Sequence, residues 1–232
     1  FALALGIRLG RPRKFVCRLI TTTGILLSVL AAIFLHIRWD SFSIHWKSLP
    51  TLKTKDGMLL FVGDSITKEG MRPKGFITKI RAHTGVDTQI LALSGGSMQE
   101  ILHMLAQTPK EPPPITIILQ AGINDQLGGI PFEKTKKNWI KLQARLRKRH
   151  PGSLLVTVPV HPVRIPASSN VSEGSHPARL PSDLSPWWEN KATFLREDLV
   201  TDGVHLNSKG HTALAAALII HLSKLERNAQ DS

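Results

Sequence analysis

The sequence predicts an α/β fold, a parallel sheet covered by helices on both faces, preceded by an N-terminal membrane-spanning helix. Three observations predict it. From residue 58 onward, short apolar runs alternate with amphipathic stretches. The apolar runs are continuous rather than alternating, as strands buried on both faces require. Ahead of them, residues 19–37 form an apolar run just long enough to cross a bilayer as a helix.

That first run, "LITTTGILLSVLAAIFLHI", carries no charge unless His36 is protonated. Arg8, Arg11, Arg13, Lys14 and Arg18 precede it, whereas only Arg38 and Lys47 follow it closely. Basic residues collect on the cytoplasmic side of a span. The expected layout is therefore a basic cytoplasmic segment (1–18), a single-pass anchor (19–37), a juxtamembrane linker (38–57), a domain (58–227) and a short tail (228–232). The domain then lies outside the cytoplasm, in a periplasm, at a cell surface or in a lumen. Trp39 and Trp46 suit the far interface. The rival readings are a cleaved signal peptide and, less favoured, a buried core helix. The run is longer than a usual signal core, and no clean A-x-A site follows it.

Within the domain, "MLLFVG" (58–63) reads as the first strand. "PKGFITKIRAHTG" (73–85) reads as a helix with proline at its start and glycine past its end. "TQILAL" (88–93), "MQEILHMLAQ" (98–107) and "ITIILQ" (115–120) read as strand, helix and strand. "PFEKTKKNWIKLQARLRKR" (131–149) follows as a helix, with Trp139, Ile140, Leu142 and Leu146 near helical spacing and the lysines and arginines on the opposite face. "SLLVTVPV" (153–160) is the fourth strand. Residues 161–186, rich in Pro, Ser and His without periodicity, read as a long loop. "WWENKATFL" (187–195) reads as a short helix and "NSKGHTALAAALIIHLSKLE" (207–226) as the final one.

Composition narrows the function. Across 232 residues, Lys and Arg outnumber Asp and Glu by 30 to 17, a net charge of +13. That excess favours anionic surroundings, phospholipid headgroups, acidic glycans or nucleic acid; a merely solvated basic surface is the equal alternative. No zinc finger or ribonucleoprotein strand motif is present, so no nucleic-acid partner is expected. Cys17 is the single cysteine, which excludes an internal disulfide framework and a cysteine-based metal cluster. No histidine pair has the H-E-x-x-H spacing of a zinc hydrolase. No cofactor or metal is expected.

The chemistry gathers where the strands end. In an open parallel sheet, ligands bind outside the carboxyl ends of the strands. Ser65 follows the first strand, "SGGS" (94–97) the second and "AGIND" (121–125) the third, while "TDGVHLN" (201–207) precedes the last helix. A serine hydroxyl needs an adjacent base to become a nucleophile. His205 can supply it, and Asp202, three residues earlier, can hold the other imidazole nitrogen. A developing oxyanion needs aimed donors. Asn124 offers a side-chain amide, and Gly95 and Ser65 offer backbone N–H groups. Gly63 is read as permitting a tight turn, and Gly95 as letting the backbone approach substrate. Asp64 is read as ordering the turn, Asp125 as anchoring the loop around Asn124, and His211 as structural. His161 and His176 fall at and within the long loop; contact of His161, which ends the fourth strand at the rim, with substrate is the less favoured reading. Asn170-Val171-Ser172 is a glycosylation sequon only in a eukaryotic secretory setting.

Taken together, "FVGDSIT", "LALSGGS", "GIND" and "DGVHLN" resemble, in order, the four blocks of the SGNH (GDSL) hydrolase family of esterases and lipases. The resemblance spans roughly residues 57–226. It implies a flavodoxin-like three-layer sandwich, Ser65 as nucleophile, Asp202 and His205 as its triad partners, and Ser65, Gly95 and Asn124 as the oxyanion hole. G-x-S-x-G is absent, so the nucleophile elbow of the α/β-hydrolase fold is not the pattern. Two departures stand out. The second block reads "QILAL" where the family usually carries an asparagine. The stretch between strand four and Asp202 is also short: either "WWENKATFLREDLV" supplies a helix and a fifth strand, or the sheet has four clear strands. The expected activity is a membrane-anchored serine esterase acting on O-acetyl glycans or acyl lipids. Acyl transfer by the same triad and a non-catalytic binding module are the alternatives.

Overall fold

The computed structural model describes residues 28–29, 48–52, 57–110, 112–161, 180–183 and 201–231. The chain divides into two compact units, Phe1–Leu49 and Pro50–Ser232. Of the expected anchor only Ser28 and Val29 are described, so that reading lies outside the described residues, as do His176, the Asn170 sequon, the short helix at 187–195 and the fifth strand. Among the described residues, no helix is long and apolar enough to cross a membrane.

The second unit is built on four parallel strands: β1 (Met58–Gly63), β2 (Asp87–Ala92), β3 (Thr116–Gln120) and β4 (Leu154–Thr157). Their order in the sheet is β2-β1-β3-β4. The chain steps from β1 to one side for β2, then back across to the other side for β3. Open α/β sheets bind ligands at such a reversal. Register sets the carboxyl ends level there: Gly63 pairs with Ala92 on one side and with Gln120 on the other.

Helices cover both faces. On one, α2 (Phe76–Thr84) packs with α6 (Ser208–Gln230). Phe61 of β1 meets Phe76 edge-on with ring centroids 5.9 Å apart, and Phe76 stacks on His211 at 5.9 Å. On the other face, α3 (Met98–Gln107) and α5 (Phe132–Arg149) enclose Leu60, Val62, Ile117 and Leu119 together with Met98, Ile101, Leu105, Trp139, Leu142 and Leu146. Alternate residues of β1 and β3 thus serve opposite cores, which is why these strands read as unbroken apolar runs.

Local chemistry sets the helix ends. Ser97 and Glu100 form a reciprocal capping box at the start of α3. Arg149, at the end of α5, donates to the carbonyls of Leu105 (2.8 Å) and Thr108 (3.0 Å), satisfying acceptors that the end of α3 leaves open. Asn207 caps α6 by accepting from Lys209 and Gly210 at 2.9 and 3.0 Å. The segment at 180–183 is tied to the body: Trp139 donates to Pro181 O at 3.0 Å, and Thr157 donates N–H and hydroxyl to Asp183 Oδ2 at 2.8 and 2.7 Å.

Several boundaries differ from expectation. Helix α2 begins at Phe76 behind a Gly75 cap rather than at Pro73. β4 ends at Thr157, with one more bond beyond it from Val158 N to Leu119 O (2.8 Å). Ile140, assigned to the apolar face of α5, is 58 % exposed instead. Two five-residue helices, α1 (Ser65–Glu69) and α4 (Ile123–Leu127), were not anticipated.

Gly63 is needed for a different reason from the one expected. It lacks a positive φ. A Cβ at this position would stand 2.1 Å from the carbonyl oxygen of Gln120 and 2.2 Å from Thr67 Oγ1. Glycine is required by the close approach of β1 to β3, not by a turn. Gly63→Ala is therefore expected to destabilise the fold by about 1–3 kcal/mol or more, because a backbone carbonyl cannot rotate away as a side chain can. Urea unfolding of the parent and variant measures it; equal midpoints would refute the packing argument.

Candidate active site

Ser65 is the first residue of α1, placed at the switch point by the end of β1. Asp64 precedes it in extended conformation and accepts the N–H of Ile66 at 3.0 Å, as an N-cap does. The expectation that Asp64 orders this turn matches that contact.

The loop before α6 brings a histidine to the serine. His205 Nε2 lies 3.1 Å from Ser65 Oγ, across 140 residues of sequence. His205 Nδ1 lies 2.8 Å from Asp202 Oδ2. With Nδ1–H donating to the carboxylate, Nε2 is left to accept from the serine hydroxyl. The other carboxylate oxygen of Asp202 accepts the N–H groups of Val204 (2.9 Å) and His205 (2.7 Å). These contacts, the bond to the imidazole foremost, hold the Asp202 carboxyl well below the usual carboxylate range. Solvent also favours the ionised form, since the Asp202 side chain is 55 % exposed; that of His205 is 31 % exposed.

The remaining candidates lie on neighbouring loops at the same rim. Gly95, after β2, has φ +72°, and nothing stands within 4 Å of where its Cβ would be. Its need for glycine is conformational, with open space around it. Asn124 lies in α4, after β3, and its Nδ2 donates to Gly96 O at 3.0 Å. That bond ties the loops after β2 and β3 together and leaves the amide a second hydrogen. The Gly96 carbonyl carried no signal in the sequence. Asp125 reaches further than expected: its Oδ2 accepts the N–H of Met98 at 2.8 Å, fastening α4 to the start of α3.

His161 follows its more favoured reading, away from substrate. It is 4 % exposed, and its Nε2 meets Val204 O at 2.7 Å, so it holds the loop of Asp202 and His205 rather than facing substrate. Burial pushes its pKa down to about 4, and does the same to His211, which packs against Phe76 as a structural residue. Among the described residues, no group of His, Cys, Asp and Glu could hold a metal ion.

The GDSL-like lipase/acylhydrolase family model matches residues 61–213, most of the chain. The chain belongs to this family. GDSL hydrolases cleave esters, and the chain falls in that enzyme class. Solved structures agree at the level of fold. A GDSL-like lipase from Bacteroides thetaiotaomicron superposes with a TM-score of 0.56 at 16 % identity, over 81 % of this chain and 98 % of that one. An acetyl xylan esterase gives 0.52 at 20 % identity, over 69 % and 97 %. A hydrolase from the metagenome of Lake Arreo gives 0.58 at 16 % identity, over 72 % and 95 %. No curated protein matches the chain.

The GDSL turn carries an unusual acid. Asp64 is fully buried, and burial, reinforced by the nearby Asp125 carboxyl, pushes its pKa from 3.8 up to about 7. The unfolded chain loses this proton near 3.8, the folded one near 7. Between those values the folded state binds more protons, so this group makes stability fall as pH rises; above 7 both states are ionised and the penalty is constant. Asp64→Asn keeps the shape of the protonated acid and an acceptor for Ile66. Its gain in Tm over the parent should be small near pH 4 and grow toward about pH 8. Thermal melting across that range checks it; a gain independent of pH would mean that Asp64 is ionised throughout.

Proposed function

We propose that the chain is a serine esterase in which Ser65 attacks a carboxylic ester and His205 moves the proton. The observation that carries this reading is the hydrogen-bonded chain from Ser65 Oγ through His205 to Asp202. His205 Nε2 takes the hydroxyl proton as Oγ bonds to the acyl carbon. Asp202 stabilises the imidazolium that results. The carbonyl π electrons move to oxygen, and the oxyanion is met by the N–H of Ser65, the N–H of Gly95 and the Asn124 amide. The Ser65 amide suits this role, because the first N–H groups of a helix have no intrahelical acceptor and Asp64 serves that of Ile66. Collapse breaks the ester bond, and His205 returns the proton to the departing alcohol. Water, activated by the same imidazole, then cleaves the acyl-enzyme.

The setting is read from charge and sequence. Lys134, Lys137, Lys141, Arg145 and Lys148 follow one another at helical spacing along α5, all exposed. They make a stripe about 21 Å long at 1.5 Å per residue. Helix α5 starts from the loop after β3, so the stripe leads away from the site rim. It favours an anionic substrate or surface, an acidic glycan or acidic lipid. A short acyl group such as acetyl on a glycan is the favoured ester. The apolar run at 19–37 with its basic flank favours a single-pass anchor that holds the hydrolase outside the cytoplasm.

Ser65→Ala should lower turnover of a chromogenic acetyl ester by on the order of 10⁶ and abolish fluorophosphonate labelling. Asn124→Ala should lower turnover by about 10²–10³ with KM little changed, since its second hydrogen meets charge formed only after attack. Retained activity in the first variant would sink the triad. Normal turnover with a raised KM in the second would move Asn124 from transition state to substrate binding.

Fractionation tests the anchor separately. Detergent, but not high salt or carbonate, should release the full-length chain from membranes; release by carbonate alone would exclude a span.

A further inference from the structure

The loop that carries Asp202 and His205 is stiff within itself. Thr201 N donates to His205 O at 2.8 Å, and Asp202 Oδ1 takes the N–H groups of Val204 and His205 at 2.9 and 2.7 Å. All of these bonds close inside the loop, so none of them places it relative to Ser65. Leu206 anchors the end of the loop, being 4 % exposed and part of a β-bridge, and two described side-chain contacts add to this. One is the His205–Ser65 contact itself, which must change in every turnover as the proton moves. The other is the bond from His161 Nε2 to Val204 O, at 2.7 Å.

The position of that second bond matters. The carbonyl of Val204 and the N–H of His205 belong to one planar peptide unit. His161 holds one edge of the plane and Asp202 Oδ1 holds the other. With both edges held, the direction in which the His205 side chain leaves the backbone is fixed. A carbonyl oxygen can only accept, so His161 Nε2 carries a hydrogen. Being nearly fully buried just beyond β4, His161 is fixed to the sheet that also ends in Ser65 through β1.

We propose that His161 is a positioning residue for ester hydrolysis: its Nε2–H, bonded to the carbonyl of Val204, clamps the Val204–His205 peptide and sets the reach of His205 to Ser65. This rests on the triad reading of Ser65, His205 and Asp202. Burial keeps the His161 ring neutral in the working range, so no second cation opposes the imidazolium that His205 becomes.

Three variants separate positioning from packing. His161→Leu and His161→Met fill the site without a donor, whereas His161→Gln restores an N–H at comparable reach. Steady-state kinetics on a chromogenic acetyl ester, with Tm measured alongside, gives the readout. Both apolar variants should lose about 10- to 100-fold in kcat with KM within about twofold, and the Gln variant should recover most of it. The order of kcat should follow the donor and not Tm. If the apolar variants keep kcat within about twofold, or if kcat of all three falls in step with Tm, the proposal is overturned. It is also overturned if both apolar variants fail to fold while the Gln variant works normally, since the bond would then serve stability alone. Ser65→Ala discriminates further: if it stays active the triad itself falls, whereas an inactive Ser65→Ala beside a fully active His161→Leu removes only the positioning role.

Discussion

Everything at this site depends on how closely β1 and β3 run at their carboxyl ends. The space between them at Gly63 admits a hydrogen and nothing larger, because the Gln120 carbonyl already occupies the place of a Cβ. That approach levels Gly63 with Gln120 and Ala92, and the three loops that follow start from one line. Ser65, Gly95 and Asn124 are each two to four residues beyond it. Short tethers from a common line leave little freedom, so the geometry of the rim is set by backbone packing before any side chain contributes.

The sheet and its helices were legible because they obey simple periods. β1 was read to the residue, and β2 and β3 to within one: β1 and β3 are apolar runs covered on both faces, whereas β2, at the sheet edge with no fully buried residue, was marked only by Ile90, Leu91 and Ala92 between polar flanks. Helices α1 and α4 were not, because five residues cannot display a period of 3.6. The serine, histidine and aspartate that the structure brings into one hydrogen-bonded chain were legible as candidates because few residue types suit that chemistry. What escaped notice is carried by backbone atoms. The Gly96 and Val204 carbonyls accept the bonds that set the rim, and no side chain advertises them. The partner of His161 escaped for a related reason: a histidine after a strand does not reveal which way it faces, and here it faces inward, as the favoured reading had it.

Two carboxylic acids lie buried beneath the rim. Asp64 holds the N–H of Ile66, and Asp125 holds that of Met98 at the head of another helix. Each has a second oxygen without a hydrogen-bond partner among the described residues. Burying such groups is unfavourable, and the raised pKa of both records that cost. The return is stiffness: the turn bearing Ser65 and the helix bearing Asn124 are each fixed by an acceptor that does not move. Stability traded for a rigid constellation is a common feature of active sites.

The span of 140 residues between Ser65 and His205 has a consequence in time as well as in space. On the proposed triad, Asp202 and His205 arrive together, three residues apart on one loop, while Ser65 follows the first strand of the domain. During synthesis, the ribosome completes the serine turn and most of the sheet long before it reaches the histidine. On that reading a nascent chain carries an unactivated hydroxyl, and hydrolysis switches on only once the closing helix docks. If the domain is delivered across a membrane as it is made, the enzyme stays silent on the side of manufacture and becomes competent at its destination.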